Sequence, residues 1–250
     1  MMDGGKQMQE EARVLRWGGL AGVLGSILFI FVFAIVGLFV GADPAEPEGL
    51  VIRHPDIRGA RIAENSLYLL VLVLWIPLWL ALYRALRQTK LAPAYFGSVV
   101  GILGLLLLAA GALVHVATDP ISDLYHAPSA TPENQATLVL IWQATHGIFD
   151  ALLVTGLLLA PIGTIGLGLA MIHAPQFGQR FGRLSVGLGV IGALAATSLL
   201  FSVSPIAVVT VFSLIAFHLI AGWKLYRLTT ASSAESVRTT YDAEMLVETR

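Results

Sequence analysis

Apolar positions in this chain fall in six long runs separated by short polar joints. The runs cover residues 17–41, 66–86, 95–117, 131–172, 184–203 and 206–226. A segment that is apolar on every side has no water-facing stripe, so it belongs in lipid or in the heart of a large core. The first run, Trp17 to Gly41, would rise roughly 37 Å as a helix, enough to cross a ~30 Å hydrocarbon layer with tilt. Barrel strands would show short segments of alternating polarity, and these runs do not alternate. The pattern predicts an all-α fold, a polytopic membrane helix bundle with six transmembrane helices.

Local signals refine this. Pro77 lies inside the second run, where a membrane helix tolerates it as a kink. Thr131-Pro132-Glu133 reads as an N-cap followed by proline at the first helical position. The apolar character then lasts to Ile172, too long for one simple span and too short for two. One long helix is expected there, kinked near Pro161, with its first turns outside the hydrocarbon. Ser204-Pro205 predicts a tight turn. The organisation expected is a six-helix domain over 1–228 and a polar, mobile cytoplasmic tail over 229–250. Val40-Gly41-Ala42 resembles a signal cleavage site, but signal h-regions run to about 15 residues. An uncleaved first helix is therefore expected.

Composition agrees. Of 250 residues, 56% are hydrophobic and 12% charged, against about 25% charged in soluble domains. Mean hydropathy is +0.79. The net charge of -1 gives no bias toward nucleic acid, and the lack of cysteine excludes disulfides, thiolate metal sites and cysteine nucleophiles. Lysine and arginine set the expected orientation. Lys6, Arg13 and Arg16 precede the first run, Arg84, Arg87 and Lys90 follow the second, Arg180 and Arg183 follow the fourth, and Lys224 and Arg227 close the sixth. These joints share one side, so both termini are expected in the cytoplasm. Arg53, Arg58 and Arg61 in the first loop dissent.

Apolar side chains gain nothing by leaving lipid for a helix interface, so close packing at small residues must hold such a bundle together. Gly18 with Gly22, Gly97 with Gly101, and Gly187, Gly189 and Gly192 are candidate contact points. Ordinary glycine enrichment in membrane helices is the alternative.

Ionisable groups near membrane depth are candidates for function. His115 and Asp119 are four residues apart, as are His146 and Asp150, a spacing that puts both members on one helix face. The topology sets the two pairs at similar depth. If they converge, two imidazoles and two carboxylates could hold a divalent metal such as zinc, which could activate water. Glu64 and His126 are possible additional members. The plainer reading leaves these groups facing headgroups and water, with Asp119-Pro120 ending a helix and Asp150 paired to His146. A haem reading uses His115 and His146 as axial ligands, with Gly111 and Gly147 leaving room. His218 fits a hydrogen bond to a neighbouring helix better than a proton relay. His173 suits a helix C-terminus. Trp17, Trp75, Trp79, Trp142 and Trp223 include interface anchors, Trp17 and Trp223 above all.

No phosphate loop, serine elbow, His-Glu-x-x-His or clear internal repeat is present. Gly163-Thr164-Ile165-Gly166-Leu167-Gly168 lies inside a span, where nucleotide binding is implausible. Arg180 and Arg183 suit anionic headgroups. Gly166-Leu167-Gly168-Leu169-Ala170, Phe181-Gly182-Arg183-Leu184-Ser185-Val186-Gly187-Leu188-Gly189 and Ala221-Gly222-Trp223-Lys224-Leu225 resemble a family of uncharacterised bacterial six-helix membrane proteins, a domain of unknown function. That resemblance implies six helices and a bacterial plasma membrane, and it carries over no catalytic residue. The function expected is a non-enzymatic membrane protein, a small transporter, chaperone or partner subunit. Membrane lipids, with a protein partner or self-association, are the partners expected. The alternatives are a membrane-embedded metal-dependent hydrolase using the His/Asp cluster, and a haem cytochrome.

Overall fold

The computed structural model describes residues 4–201 and 206–248, with side chains described for 9–201, 206 and 208–230. The expected Ser204-Pro205 turn lies outside the described residues. All regular structure among the described residues is helical: α1 (Gly4–Ile35), prolonged by a π-helical segment Val36–Val40, α2 (Pro47–Leu86), α3 (Leu91–Val116), α4 (Thr118–Tyr125), α5 (Pro132–Ile172), α6 (Gln179–Thr197) and α7 (Ala207–Glu248). Six helical stretches are long and apolar enough to cross a bilayer. α7 continues without a break into the polar segment expected as a tail.

Two elements differ from the sequence reading. α2 begins at Pro47, nineteen residues before the apolar run, because partners elsewhere in the fold satisfy its charged first half. The stretch around Asp119-Pro120 does not end in a loop. α3 stops at Val116, and Thr118 opens the short helix α4, with Asp119 in its first turn. Proline is accepted there because first-turn N–H groups have no intrahelical partner. α5 starts as its sequence predicts, with the Thr131 hydroxyl accepting from the Asn134 N–H at 3.3 Å and Pro132 following the cap.

Close backbone approaches set the arrangement. A Cβ on Gly97 would lie 2.7 Å from the Leu167 nitrogen and 2.9 Å from the Gly166 carbonyl carbon. One on Gly104 would lie 2.6 Å from the Ala160 nitrogen. α3 and α5 thus run antiparallel with their backbones in contact, which only small residues permit. Gly19 and Gly222 do the same for α1 and α7, each blocking the other at under 3 Å through its carbonyl oxygen (2.7 and 2.6 Å). Gly189 meets the Pro161 carbonyl oxygen at 2.8 Å, joining α6 to α5. Gly18, Gly22 and Gly192 are contact points too, whereas a Cβ on Gly187 would meet nothing within 4 Å among the described residues.

Consecutive long helices alternate in direction, so the chain enters and leaves at one end of the bundle. There the Arg16 guanidinium sits 5.8 Å from the Tyr226 ring centroid, and Arg84 pairs with Glu11. The half of the core nearer this end is dense. Trp75, Trp79, Leu78, Leu82, Leu86, Phe217 and Leu225 have no exposed surface. His218 is buried among them. Trp79 Nε1–H donates to His218 Nε2 at 2.8 Å, and His218 Nδ1–H donates to the Leu214 carbonyl at 2.6 Å. Trp75 stacks on the same imidazole, centroids 3.7 Å apart and planes 14° from parallel. Both ring nitrogens are satisfied, and the histidine bonds a neighbouring helix as its position suggested.

The opposite end is tied by a second, small apolar cluster of Val51, Tyr125 and Trp142. His54 Nε2 lies 2.5 Å from Asp119 Oδ1, Arg58 bonds Asp123, and the Tyr125 hydroxyl donates to Glu48 at 2.9 Å. Arg53 donates to the carbonyls of Val40 and Ala42, closing the end of the α1 helical run. Trp17 and Trp223 are exposed, while Trp75, Trp79 and Trp142 are buried.

Candidate functional site

Between these two layers lies a cavity of about 350 Å³. α1, α2, α3, α5 and α7 line it, together with Asp43 from the α1–α2 joint. Its floor is apolar: Phe29, Phe33, Leu108, Leu157 and Leu214 surround Trp75. The Trp75 indole N–H rests against Gly25 of α1 and has no partner among the described residues. The mouth is polar, with Asp43, Arg61, Glu64, Asn65, Tyr68, His115, His146 and Asp150. From His146 to Leu157 the lining follows α5 for three turns, roughly 16 Å. The polar part of the lining lies toward the end of the bundle that carries the α1–α2 joint, and the Trp75–Trp79–His218 layer fills the other half of the core.

His115, His146 and Asp150 all line this cavity. The antiparallel pairing of α3 and α5 puts the two imidazoles edge to face, centroids 5.4 Å apart at 87°. Aromatic neighbours fix both: His115 stacks on Phe149 at 4.9 Å, and His146 stacks on Trp142 at 5.1 Å. His146 Nδ1 faces the Trp142 carbonyl at 3.3 Å, which makes it the protonated nitrogen and leaves Nε2 as an acceptor. Rings in direct edge contact leave no slot for a macrocycle between them.

Asp119 is elsewhere. The break at Ala117 between α3 and α4 turns it away from His115, and it pairs with His54 at 2.5 Å and lies 3.9 Å from Arg58. His126 is also outside the cavity, its Nδ1 bonded to the Ser122 carbonyl at 2.8 Å. Glu64 is inside. Arg61 holds it at 3.0 Å and holds Asp43 with its other terminal nitrogen at 2.8 Å. No hydrogen bond joins Asp150 to His146 among the described residues, and no three histidine, aspartate or glutamate side chains there stand close enough to hold a metal together. His173 closes α5, its Nδ1 bonded to the Leu169 carbonyl at 3.1 Å.

The sequence reading missed Asn65, Tyr68, Arg61 and Asp43 as members of this wall. Asn65 is 8% exposed. Among the described residues, the Asn65 amide, the Tyr68 hydroxyl, the His115 nitrogens and the Asp150 carboxylate have no protein hydrogen-bond partner. Buried polar groups are normally paired. Of these groups Asn65 is buried, Tyr68 and His115 are half-buried and Asp150 is exposed, so their unpaired polar atoms are accessible to a molecule in the cavity or at its mouth. No family model, curated protein or solved structure matches the chain.

Proposed function

We propose that this chain is a six-span integral membrane protein that binds a small amphiphile in a cavity opening on the extracytoplasmic side. The observation that carries the reading is the cavity's polarity: unpaired hydrogen-bonding groups at the mouth, aromatic and aliphatic side chains below, and a closed floor. An apolar tail would occupy the floor and a polar head the mouth. The volume lies within the ~300–1,000 Å³ range of small-molecule sites.

Charge supports the orientation. The end holding the chain termini carries Arg13, Arg16, Arg84, Arg87, Lys90, Arg180, Arg183, Lys224 and Arg227. The three arginines at the other end are tied locally: Arg58 and Arg61 to carboxylates, Arg53 to carbonyls. The positive-inside rule then places both termini in the cytoplasm, and the bacterial plasma membrane is the proposed location. A ligand-binding or transport role, alone or as a partner subunit, fits a one-sided chamber without requiring a metal.

The test is ligand-dependent stabilisation of the protein in nanodiscs. Titrated octanol should raise the melting temperature saturably, and Leu153→Trp, which fills the chamber, should abolish the effect. Absence of any saturable response would overturn the reading. Stoichiometric zinc in protein purified without chelators, lost in His115→Ala and His146→Ala, would replace it with the metal-dependent hydrolase.

A further inference from the structure

The cavity mouth carries three carboxylates, Asp43, Glu64 and Asp150, and one guanidinium, Arg61. Arg61 is already engaged by Asp43 and Glu64. It fixes those two and has nothing left for Asp150, which is exposed at the mouth, acts on the His146 imidazole through its charge, and makes no ion pair or hydrogen bond among the described residues. The remaining free groups include several acceptors: His146 Nε2, the Asn65 carbonyl oxygen and the Asp150 oxygens. Around them stand π-faces. Phe29, Phe33, Tyr68 and Phe149 all line the chamber.

Carboxylates with aromatic faces are the combination that attracts an organic cation. The charge supplies long-range attraction, and the ring quadrupoles supply contact attraction that survives desolvation. An anionic head would meet an excess of negative charge, since Arg61, the lining arginine among the described residues, is already spent on neighbours. An acidic cluster alone would say little. Here Asn65, more than nine-tenths buried and unpartnered, lines the same enclosed space, so the wall is built to meet a polar head inside the bundle.

Resting on the binding reading above, we propose that the cavity selects amphiphiles with a substituted-ammonium head, the head lying between Asp150 and Tyr68 and the hydrocarbon tail running toward Trp75. Selectivity comes from Asp150, because it is the unpaired charge.

The experiment compares three probes of equal chain length on the full protein in nanodiscs of neutral lipid: octyltrimethylammonium, octanol and octyl sulfate. Binding is read by isothermal titration calorimetry, with the quenching of tryptophan emission as a second signal. Octyltrimethylammonium should bind about tenfold tighter than octanol, a ratio within reach of a desolvated cation–π contact, and octyl sulfate should bind more weakly than octanol. Asp150→Asn should erase most of the cation preference, weakening octyltrimethylammonium far more than octanol. Asp150→Lys should reverse the order of the two ions. If octanol binds and the cation binds no tighter, the charge selection is wrong and the cavity reading stands. If no probe binds, both fail. Cation binding that persists unchanged in Asp150→Asn and Asp150→Lys would overturn the role given to Asp150.

Discussion

Replacing His218 with phenylalanine tests the layer that closes the cavity floor. The imidazole has no exposed surface and makes two hydrogen bonds, one from Trp79 at 2.8 Å and one to the Leu214 carbonyl at 2.6 Å. Phenylalanine keeps a flat ring for Trp75 to stack on but leaves the Trp79 N–H buried and unpaired. The second bond matters less, since a helical carbonyl keeps its backbone donor. An orphaned buried donor costs about 1–3 kcal/mol, and hydrogen bonds between membrane helices average ~0.6 kcal/mol with a maximum of ~1.7 kcal/mol. His218→Phe should therefore lower stability by about 1–2 kcal/mol. Trp79→Phe should cost more, because it also empties volume. The informative number is the coupling. The double variant should be more stable than the sum of the single losses implies, by about 1 kcal/mol, because it leaves no group unpaired. The assay is equilibrium unfolding in mixed micelles, followed by helix content for wild type, the two single variants and the double variant. Strict additivity would refute the argument that this bond holds α2 to α7.

Other consequences are as concrete. Gly97→Ala should destabilise by about 1–3 kcal/mol, because its methyl group meets the α5 backbone at 2.7 Å. Gly187→Ala should be neutral or stabilising by about 0.5–1 kcal/mol, since its site is open and alanine favours helix. The same unfolding assay gives both, and equal effects would contradict the packing described. Asp119→Asn should weaken the tie between α2 and α4, seen as faster hydrogen exchange in Thr118–Tyr125 with the Trp79–His218 layer still protected. Unchanged exchange would mean that the His54–Asp119 pair does not fasten that end.

The spans were legible because lipid demands long uninterrupted apolar runs, and little else in a sequence looks like that. The similar depth of His115 and His146 was legible, because one helix leaves and the next returns; the helix rotation that sets their ring centroids 5.4 Å apart was not. The failures have a common cause. Arg53, Arg58 and Arg61 made residues 47–65 look like a loop; Glu64 is a local partner for Arg61, but the others lie on α4, in the α1–α2 joint or at the end of the π-helical segment, and no local pattern announces an arginine on α2 meeting Asp123 on α4. Asp119 looked like a partner for His115 because four residues make one helical turn. The helix breaks at Ala117, and the spacing loses its meaning there. Asn65 and Tyr68 carried no motif, and only the enclosure of the chamber singles them out. Among the glycines, spacing could not separate Gly187 from Gly189, since helix rotation decides which one faces a neighbour.

The chain has no cysteine, so a single introduced thiol reports cleanly on its own surroundings. The most direct measurement is labelling of Asp150→Cys in intact cells with a membrane-impermeant maleimide, alongside Lys224→Cys from the opposite end. Asp150→Cys should label from outside and be shielded by octanol, while Lys224→Cys should label only after the membrane is opened. Labelling of Lys224→Cys in intact cells, or an Asp150→Cys that stays unreactive without ligand, would contradict an outward-facing cavity in a membrane-spanning bundle.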